Sequence, residues 1–377
     1  MRSWLAILLL LACGCSAGHS LSKAPSREMR VVSAQLATQT QDWEYTCSAI
    51  RKSLAYVQTK NPDAQPFSGA NQAVSWGRIR VTLEHLLAVL PRLHEHPELL
   101  LQEFEWRQVT PDPLMTGYYE PMLDASAERS AQYCVPIYGV PSSLRTTDLG
   151  VFKPQLQGQQ IVYRVDDGRI APFFSREEID CQGVLNATDT PIAWTKDPVD
   201  VYFLQVQGSG LLRYPDGSVR HVLYAGKNGR EYVSLGKVLI ERGFIPKEEM
   251  SMQRIRAFLT LHPDLQQELL NTNPSYVFFR LADDGPYGSM GQTLTPMVSM
   301  ATDLAFLPSG CALAVDVGLP TSDGATVPRT FLGLAQDMGG ANKGNRLDLF
   351  CGHGVDAEFL AGHLQARSKV FLLLKRE

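Results

Sequence analysis

Asp337 and Asp348 stand in the stretch AQDMGGANKGNRLDLFCGHG, with Gly339, Gly340 and Gly344 between them. Carboxyl groups beside so much bare backbone can do acid–base chemistry on a ligand that approaches closely, because glycine admits positive φ and leaves no side chain in the way. A plainer account fits the same residues: a solvated loop whose aspartates cap turns. Cys351 and His353, two residues apart, could begin a metal site, but no second pair follows and no metal is expected. The other body cysteines, Cys47, Cys134, Cys181 and Cys311, are scattered; the set suits neither a disulfide framework nor zinc and is expected to be structural.

The elements that must hold these residues are mostly short strands. PLMTGYYEPML, VYFLQVQGSG, SYVFFRL, CALAVDVGL, RTFLGLAQD and KVFLLLK are apolar or alternating runs bounded by Gly, Pro, Asp or Ser, and many such strands with glycine-rich links suggest a barrel. Helical spacing is found over Glu44 to Val57. It is stronger from Trp76 to Leu93, where Ile79, Leu83, Leu86, Leu87 and Leu90 form one stripe. In SMQRIRAFLTLHP, Ser251 is placed as an N-cap, Ile255, Phe258 and Leu259 share a face, and Pro263 lies beyond the end. The chain therefore reads as mainly β with helical additions, without βαβ repetition.

Arg2 precedes an apolar run from Trp4 to Ala12 that is too short to span a bilayer, which reads as a signal peptide over 1–12. Leu10, Leu11 and Ala12 before Cys13 resemble a bacterial lipobox, so Cys13 is expected to carry the lipid, with Cys15 the weaker choice. Residues 13–40, rich in Ser, Ala, Gln and Thr, are expected to be a loose tether. Gly14 and Ser16 lack the aspartate that retains lipoproteins at the inner membrane, so the periplasmic face of an outer membrane is the expected location. A net charge of −4 offers no basic footprint for nucleic acid, and no Walker-type or GxGxxG loop follows an apolar strand, so no cofactor is expected. About 360 residues after the leader exceed what one core usually serves, which predicts two domains.

GYYEP (117–121), VQGSG (206–210), YAGKNGREYVSLGK (224–237), MSMQRIRAFLTLHP (250–263), NPSYVFFR (273–280), LTPMVSMATD (294–303) and AQDMGGANKGNRLDLF (335–350) occur in that order. Together they resemble the membrane-bound lytic murein transglycosylase A family, from about residue 110 onward. The resemblance implies a double-psi β-barrel that, with a helical N-terminal region, is drawn from 41–123 and 280–377, with a second β-domain inserted at 124–279 and a groove for a glycan strand between them. It also implies cleavage of the bond between N-acetylmuramic acid and N-acetylglucosamine without water: the muramyl C6 hydroxyl attacks C1 and leaves a 1,6-anhydro end. Because the nucleophile belongs to the substrate, one carboxyl can serve as acid and then base, whereas a hydrolase normally needs two.

The position matching that acid is Asp348. Asp337 and Asp316, the latter in AVDVG, complete a three-aspartate pattern and are read as supporting acids. Tyr119 is expected to stack on a sugar while Tyr118 enters the core. Gln207, Ser209 and Asn228 are expected to face the groove, Asn228 from a hairpin turn, and Lys343 and Asn345 to bind glycan oxygens. Asn342 replaces a residue usually apolar in the family. The expected partners are peptidoglycan glycan strands and the membrane reached through Cys13; which wall-synthesis or division proteins the chain meets is not written in its sequence. Two other functions fit the same motifs: a hydrolytic muramidase, with Glu120 or Asp337 managing a water, and a wall-binding lipoprotein that cuts nothing.

Overall fold

The computed structural model describes residues 25–38, 42–66, 74–185, 191–339 and 342–377. The stretch 1–12 expected to be a signal peptide and Cys13 lie outside the described residues. Three helices come first: α1 (Arg27–Thr38), α2 (Trp43–Val57) and α3 (Trp76–Val89). Asp42 caps α2 by accepting from Tyr45 N, and Ser75 caps α3 by accepting from Arg78 N. The stripe Ile79, Leu83 and Leu86 is buried, each side chain contributing about 1.5–3 kcal/mol by leaving water.

The segment expected to be a loose tether is helical over 27–38. Val32, Leu36 and Ala37 are buried, Glu28 pairs with Lys369, and Gln35 accepts from Thr330. Four buried positions on one face were enough to dock a helix that its polar composition had hidden.

After α4 (Leu99–Glu103) the chain enters β1 (Phe104–Gln108) and β2 (Leu114–Glu120), then crosses Pro121 into a second sheet. That excursion holds β3 (Met122–Ser126), β4 (Val135–Tyr138), β5 (Arg145–Asp148), β6 (Gln160–Asp166), β7 (Arg169–Pro172), α5 (Arg176–Asp180), β8 (Pro191–Thr195), α6 (Pro198–Gln207), β9 (Ser209–Arg213) and β10 (Val219–Lys227). It continues through α7 (Leu235–Glu241), α8 (Met252–Leu261) and α9 (Pro263–Asn271) to β11 (Val277–Ala282). The chain returns through β12 (Ser299–Ala301), β13 (Ala312–Pro320), β14 (Thr326–Asp337), β15 (Arg346–His353), α10 (Val355–His363), β16 (Gln365–Arg367) and β17 (Lys369–Lys375).

The first sheet has eight strands in the order β1-β17-β13-β14-β12-β15-β2-β16, with β12/β14 and β15/β2 parallel and β16 returning against β13. The second has six, β11-β10-β9-β3-β8-β4, and β5-β6-β7 form a small third. The fold is thus mainly β with helical additions: a double-psi barrel joined to a second β-layer. The main core lies between the barrel and α1–α3 and includes Ile50, Leu83, Met300, Leu334, Leu349 and Phe371.

One expected strand is a helix. VYFLQVQ closes α6, Gly208 caps it at φ 85°, and Ser209 and Gly210 begin β9; at the other end Asp197 accepts from Val199 N, with Pro198 in the first turn. An apolar run of this length fits a buried helix as well as a strand; the punctuation at 197, 198 and 208 decides it. Pro263 likewise opens α9 instead of merely following α8.

Candidate active site

Asp337 ends β14 and Asp348 is the third residue of β15; the three-residue β12 runs between them. Ala301 is in register with both, with Asp337 across a parallel pairing and with Asp348 across an antiparallel one. Two strand spacings therefore separate the backbones, about 10 Å. Thr116 of β2 is in register with Asp348, and Tyr118, two residues on, shares its face.

Asp337 is anchored on both oxygens. The Tyr118 hydroxyl donates to Oδ2 at 2.9 Å, and the Ser289 amide, in the loop before β12, donates to Oδ1 at 2.9 Å. Burial pushes the Asp337 pKa up, these hydrogen bonds pull it down, and the nearby Asp348 charge pushes it up again. The Tyr118 hydroxyl is raised well above its ordinary value by burial and then by Asp337, so it remains a donor.

Asp348 is held differently. Its side chain is 16% exposed, and Arg346 Nη2 stands 3.7 Å from Oδ1, beyond hydrogen-bond reach. Among the described residues Oδ1 has no hydrogen-bond partner. Burial raises the Asp348 pKa; the Arg346 charge and a hydrogen bond from Asn342 oppose the rise. Arg346 is steadied by Thr116, whose hydroxyl accepts from Nε at 3.3 Å and Nη2 at 3.2 Å. Asn342 is buried at 1% and donates to Ala301 O at 3.3 Å, so the polar residue in an ordinarily apolar position reaches back to the strand between the aspartates.

Several expected site residues do other work. Tyr119 is a correction: it is 3% exposed, packs with Cys351 and Ala357, and its hydroxyl bonds Glu358 and Arg256, while Tyr118 is the tyrosine that meets an aspartate. Alternation along β2 sends the two to opposite faces, but the core side is fixed by α10, which lies so close that a Cβ on Gly117 would sit 3.0 Å from Ala361 Cα. Asn228 is also corrected. It is 1% exposed, its amide donates to Phe174 O and Pro274 O, and its oxygen accepts from Arg230 N and Tyr276 N, leaving nothing for a ligand. It closes no hairpin, because β10 and β11 are joined through α7–α9.

Asp316 is not brought to the pair. Its carboxylate accepts from Thr330, seven residues before Asp337 on β14, on the order of 20 Å away at the rise of a strand. Gln207 accepts from Tyr119 N at 3.0 Å, and the Ser209 hydroxyl bonds Glu120, so both tie the second sheet to β2. Lys343 is exposed, and Asn345 donates to Pro111 O at 3.2 Å. Ser289, Arg346 and Thr116 were not singled out by sequence, and Tyr118 was read only as a core residue; the two-residue alternation of β2 carried the one signal, for Thr116 and Tyr118. Tyr232, between β10 and α7, lies near enough for the Arg346 charge to act on its hydroxyl, which brings the excursion opposite Asp348.

A cavity of about 700 Å³ lined by Tyr45, Met297, Phe331, Val355 and Phe359 contains neither aspartate. Among the described residues no group of His, Cys, Asp and Glu is arranged to hold a metal ion. The pair offers one carboxyl with an unpartnered oxygen and a pKa raised by burial beside a second carboxyl held on both oxygens, an arrangement suited to moving a single proton.

The pattern described as the MltA specific insert domain matches residues 114–280, and that of the 3D domain matches 298–374. Membrane-bound lytic murein transglycosylase A of Vibrio cholerae is 32% identical over 265 residues, covering 69% of this chain but 65% of the relative, so the chain spans under two thirds of that protein. A membrane-bound lytic murein transglycosylase from Agrobacterium tumefaciens has a TM-score of 0.74 at 29% identity, covering 89% of this chain and 94% of the other. The lytic transglycosylase LtgG of Burkholderia pseudomallei is 30% identical, covering 88% and 89%, with a TM-score of 0.54. Escherichia coli MltA with bound chitohexaose is 26% identical, covering 88% and 90%, with a TM-score of 0.69.

Proposed function

Because the chain belongs to the membrane-bound lytic murein transglycosylase A family, we propose that it cleaves peptidoglycan between N-acetylmuramic acid and N-acetylglucosamine and leaves a 1,6-anhydromuramyl end. Asp348 donates its proton to the departing glycosidic oxygen as the C1–O bond breaks. The resulting carboxylate then takes the proton of the muramyl C6 hydroxyl as O6 bonds to C1, which returns Asp348 to its starting state. No water is consumed.

The observation that carries this reading is the contrast between the two aspartates. Asp348 has a free oxygen and a pKa raised by burial, as a donor requires. Asp337 has both oxygens engaged, and Glu120 is 2% exposed and faces His221 and Ser209, so neither is placed to activate a water. That weighs against a muramidase. A barrel that only binds the wall would have no use for a buried acid with an unpartnered oxygen, since such a group is costly to keep.

The chitohexaose held by the E. coli protein supports a β-1,4 glycan as ligand, with Tyr118, Arg346 and Tyr232 around the scissile bond. The envelope is the proposed location, through a lipid on Cys13 and at the periplasmic face of an outer membrane. Among the described residues no helix is long and apolar enough to cross a membrane. Fatty-acid labelling should be lost from the Cys13→Ser variant and kept by Cys15→Ser. Mass spectrometry of muropeptides released from purified sacculi tests the reaction itself: anhydro ends are expected, and reducing ends would replace this reading with a hydrolase.

A further inference from the structure

α2 holds the seat of Asp337 from behind. Ala49, Lys52 and Ser53 are spaced to share one helical face. Gln336, the residue before Asp337, is 1% exposed; its amide donates to Ala49 O and to Ser53 Oγ, each at 2.8 Å, and its oxygen accepts from Ser299 Oγ. Ser299 Oγ accepts in turn from Thr295 N at 2.7 Å. Lys52 Nζ donates to Thr293 O at 3.1 Å and to Thr295 Oγ1 at 3.3 Å.

These bonds converge on the loop that carries Ser289. At Gly288 it lies directly on β14, where a Cβ would come within 2.4 Å of Gln336 O, and one residue later the Ser289 amide reaches Asp337. Lys52 is half-buried, and burial lowers its pKa; among the described residues no carboxylate pairs with it. A cation drawn partly out of water with only neutral oxygens as partners carries a desolvation cost that its two bonds to this loop have to offset.

We propose that Lys52 is a positioning residue for the reaction, acting through the 286–295 loop and the Ser289 amide to fix the Asp337 carboxylate opposite Asp348. The proposal rests on the reading of the two aspartates above. It extends the working machinery to a helix outside both matched stretches, 114–280 and 298–374. Lys52 touches neither substrate nor reacting atoms in this role.

The test is Lys52→Met in the full processed chain, which keeps the apolar stem and removes the donors, with Lys52→Arg as the conservative partner. With the loop released, Asp337 loses a hydrogen bond that favours its charged form, so its titration midpoint should rise. The other titratable groups facing it, Tyr118 from β2 and Asp348 from β15, are unchanged. Carbon-13 NMR of the carboxyl groups, with Asp337 assigned through Asp337→Asn, reads that midpoint without any turnover. In sacculus digestion, kcat should fall about tenfold with KM within about twofold, the acid limb should move to higher pH, and Lys52→Arg should restore most of both. An Asp337 midpoint unchanged in folded Lys52→Met overturns the proposal. Should that variant not fold, Lys52→Gln, which keeps a polar end but is too short to hold both oxygens, takes its place, and an unchanged midpoint there does the same. A wild-type protein inert on sacculi would defeat the reaction reading while leaving the midpoint measurement to decide the positioning.

Discussion

Asp337 and Asp348 meet at one residue: Ala301 is the register partner of each, on the two edges of the three-residue strand β12. Neighbouring strands set the distance between the acids, so side-chain flexibility has little say in it. The electrostatic coupling between them follows, with the Asp348 charge raising the Asp337 pKa.

Asp348→Asn keeps size and removes the proton. Anhydromuropeptide release should fall by about 10²–10⁴-fold while glycan binding persists. Asp337→Asn should cost less and shift the pH profile, because it loosens a support and leaves the donor. A folded Asp348→Asn protein, checked by circular dichroism, that digests sacculi at near wild-type rate would end the one-acid mechanism.

Tyr118→Phe removes one of the two hydrogen bonds on Asp337 and leaves the ring packed 5.3 Å from Phe350. The lost bond is to a charged acceptor, worth about 1.5–3 kcal/mol. Turnover is expected to drop about tenfold, and the melting temperature to fall by a few degrees. Tyr119→Phe should lower stability alone, with activity kept per folded molecule, since its hydroxyl serves Glu358 and Arg256.

Arg346 holds the Asp348 pKa down against burial. Arg346→Gln should let it rise, so that Asp348 stays protonated to higher pH and the alkaline limb of kcat moves upward. Asn342→Ile, which removes a hydrogen bond to the same carboxyl, should push in the same direction. An alkaline limb that moves down in either variant would contradict the electrostatics described here.

Glu120 is 2% exposed, and burial pushes its pKa up to about 7, with a hydrogen bond from Ser209 opposing. The folded state therefore holds a proton that the unfolded chain, near the ordinary 4.5, releases earlier. Its contribution to stability is fully present below about pH 4.5 and is lost as pH rises through about 7. Glu120→Gln, neutral at every pH, should gain on the wild type by up to about 3 kcal/mol between those limits. Urea unfolding at pH 5 and pH 8 measures this; a difference independent of pH would show that the carboxyl is not neutral in the folded protein. His221 Nδ1, 3.3 Å away on β10, is the partner that would take the proton, and burial lowers its own pKa.

Much of the barrel was legible because β13, β14 and β17 are long apolar runs with clear ends, and the two aspartates were legible through the glycines between them. What escaped depends on distant contacts. Nothing local tells Tyr118 from Tyr119, since alternation gives opposite faces and α10 chooses between them. Asp316 matched a pattern, but strand geometry carries it far from the pair. Lys52 reaches the site loop across 241 residues of chain and Ser289 reaches Asp337 across 48, and α6 hid inside an apolar run that suits two structures equally.

The pairing of Thr116 with Asp348 closes a loop of 232 residues (348 − 116), and most of that loop is the excursion from 122 to 282. If those 161 residues (282 − 122 + 1) condense first, the chain left to be closed shrinks to about 71, and the entropic cost of closure falls by about 1 kcal/mol. The last strand, β17, then enters between β1 and β13, near the start of the strand order and far from its own neighbours in the chain. On that order assembly runs from the middle of the polypeptide outward. The segment that faces the acid across the site would then be finished before the acid has a strand to stand on, and a molecule stopped late on such a route would hold a complete second layer and no reaction centre.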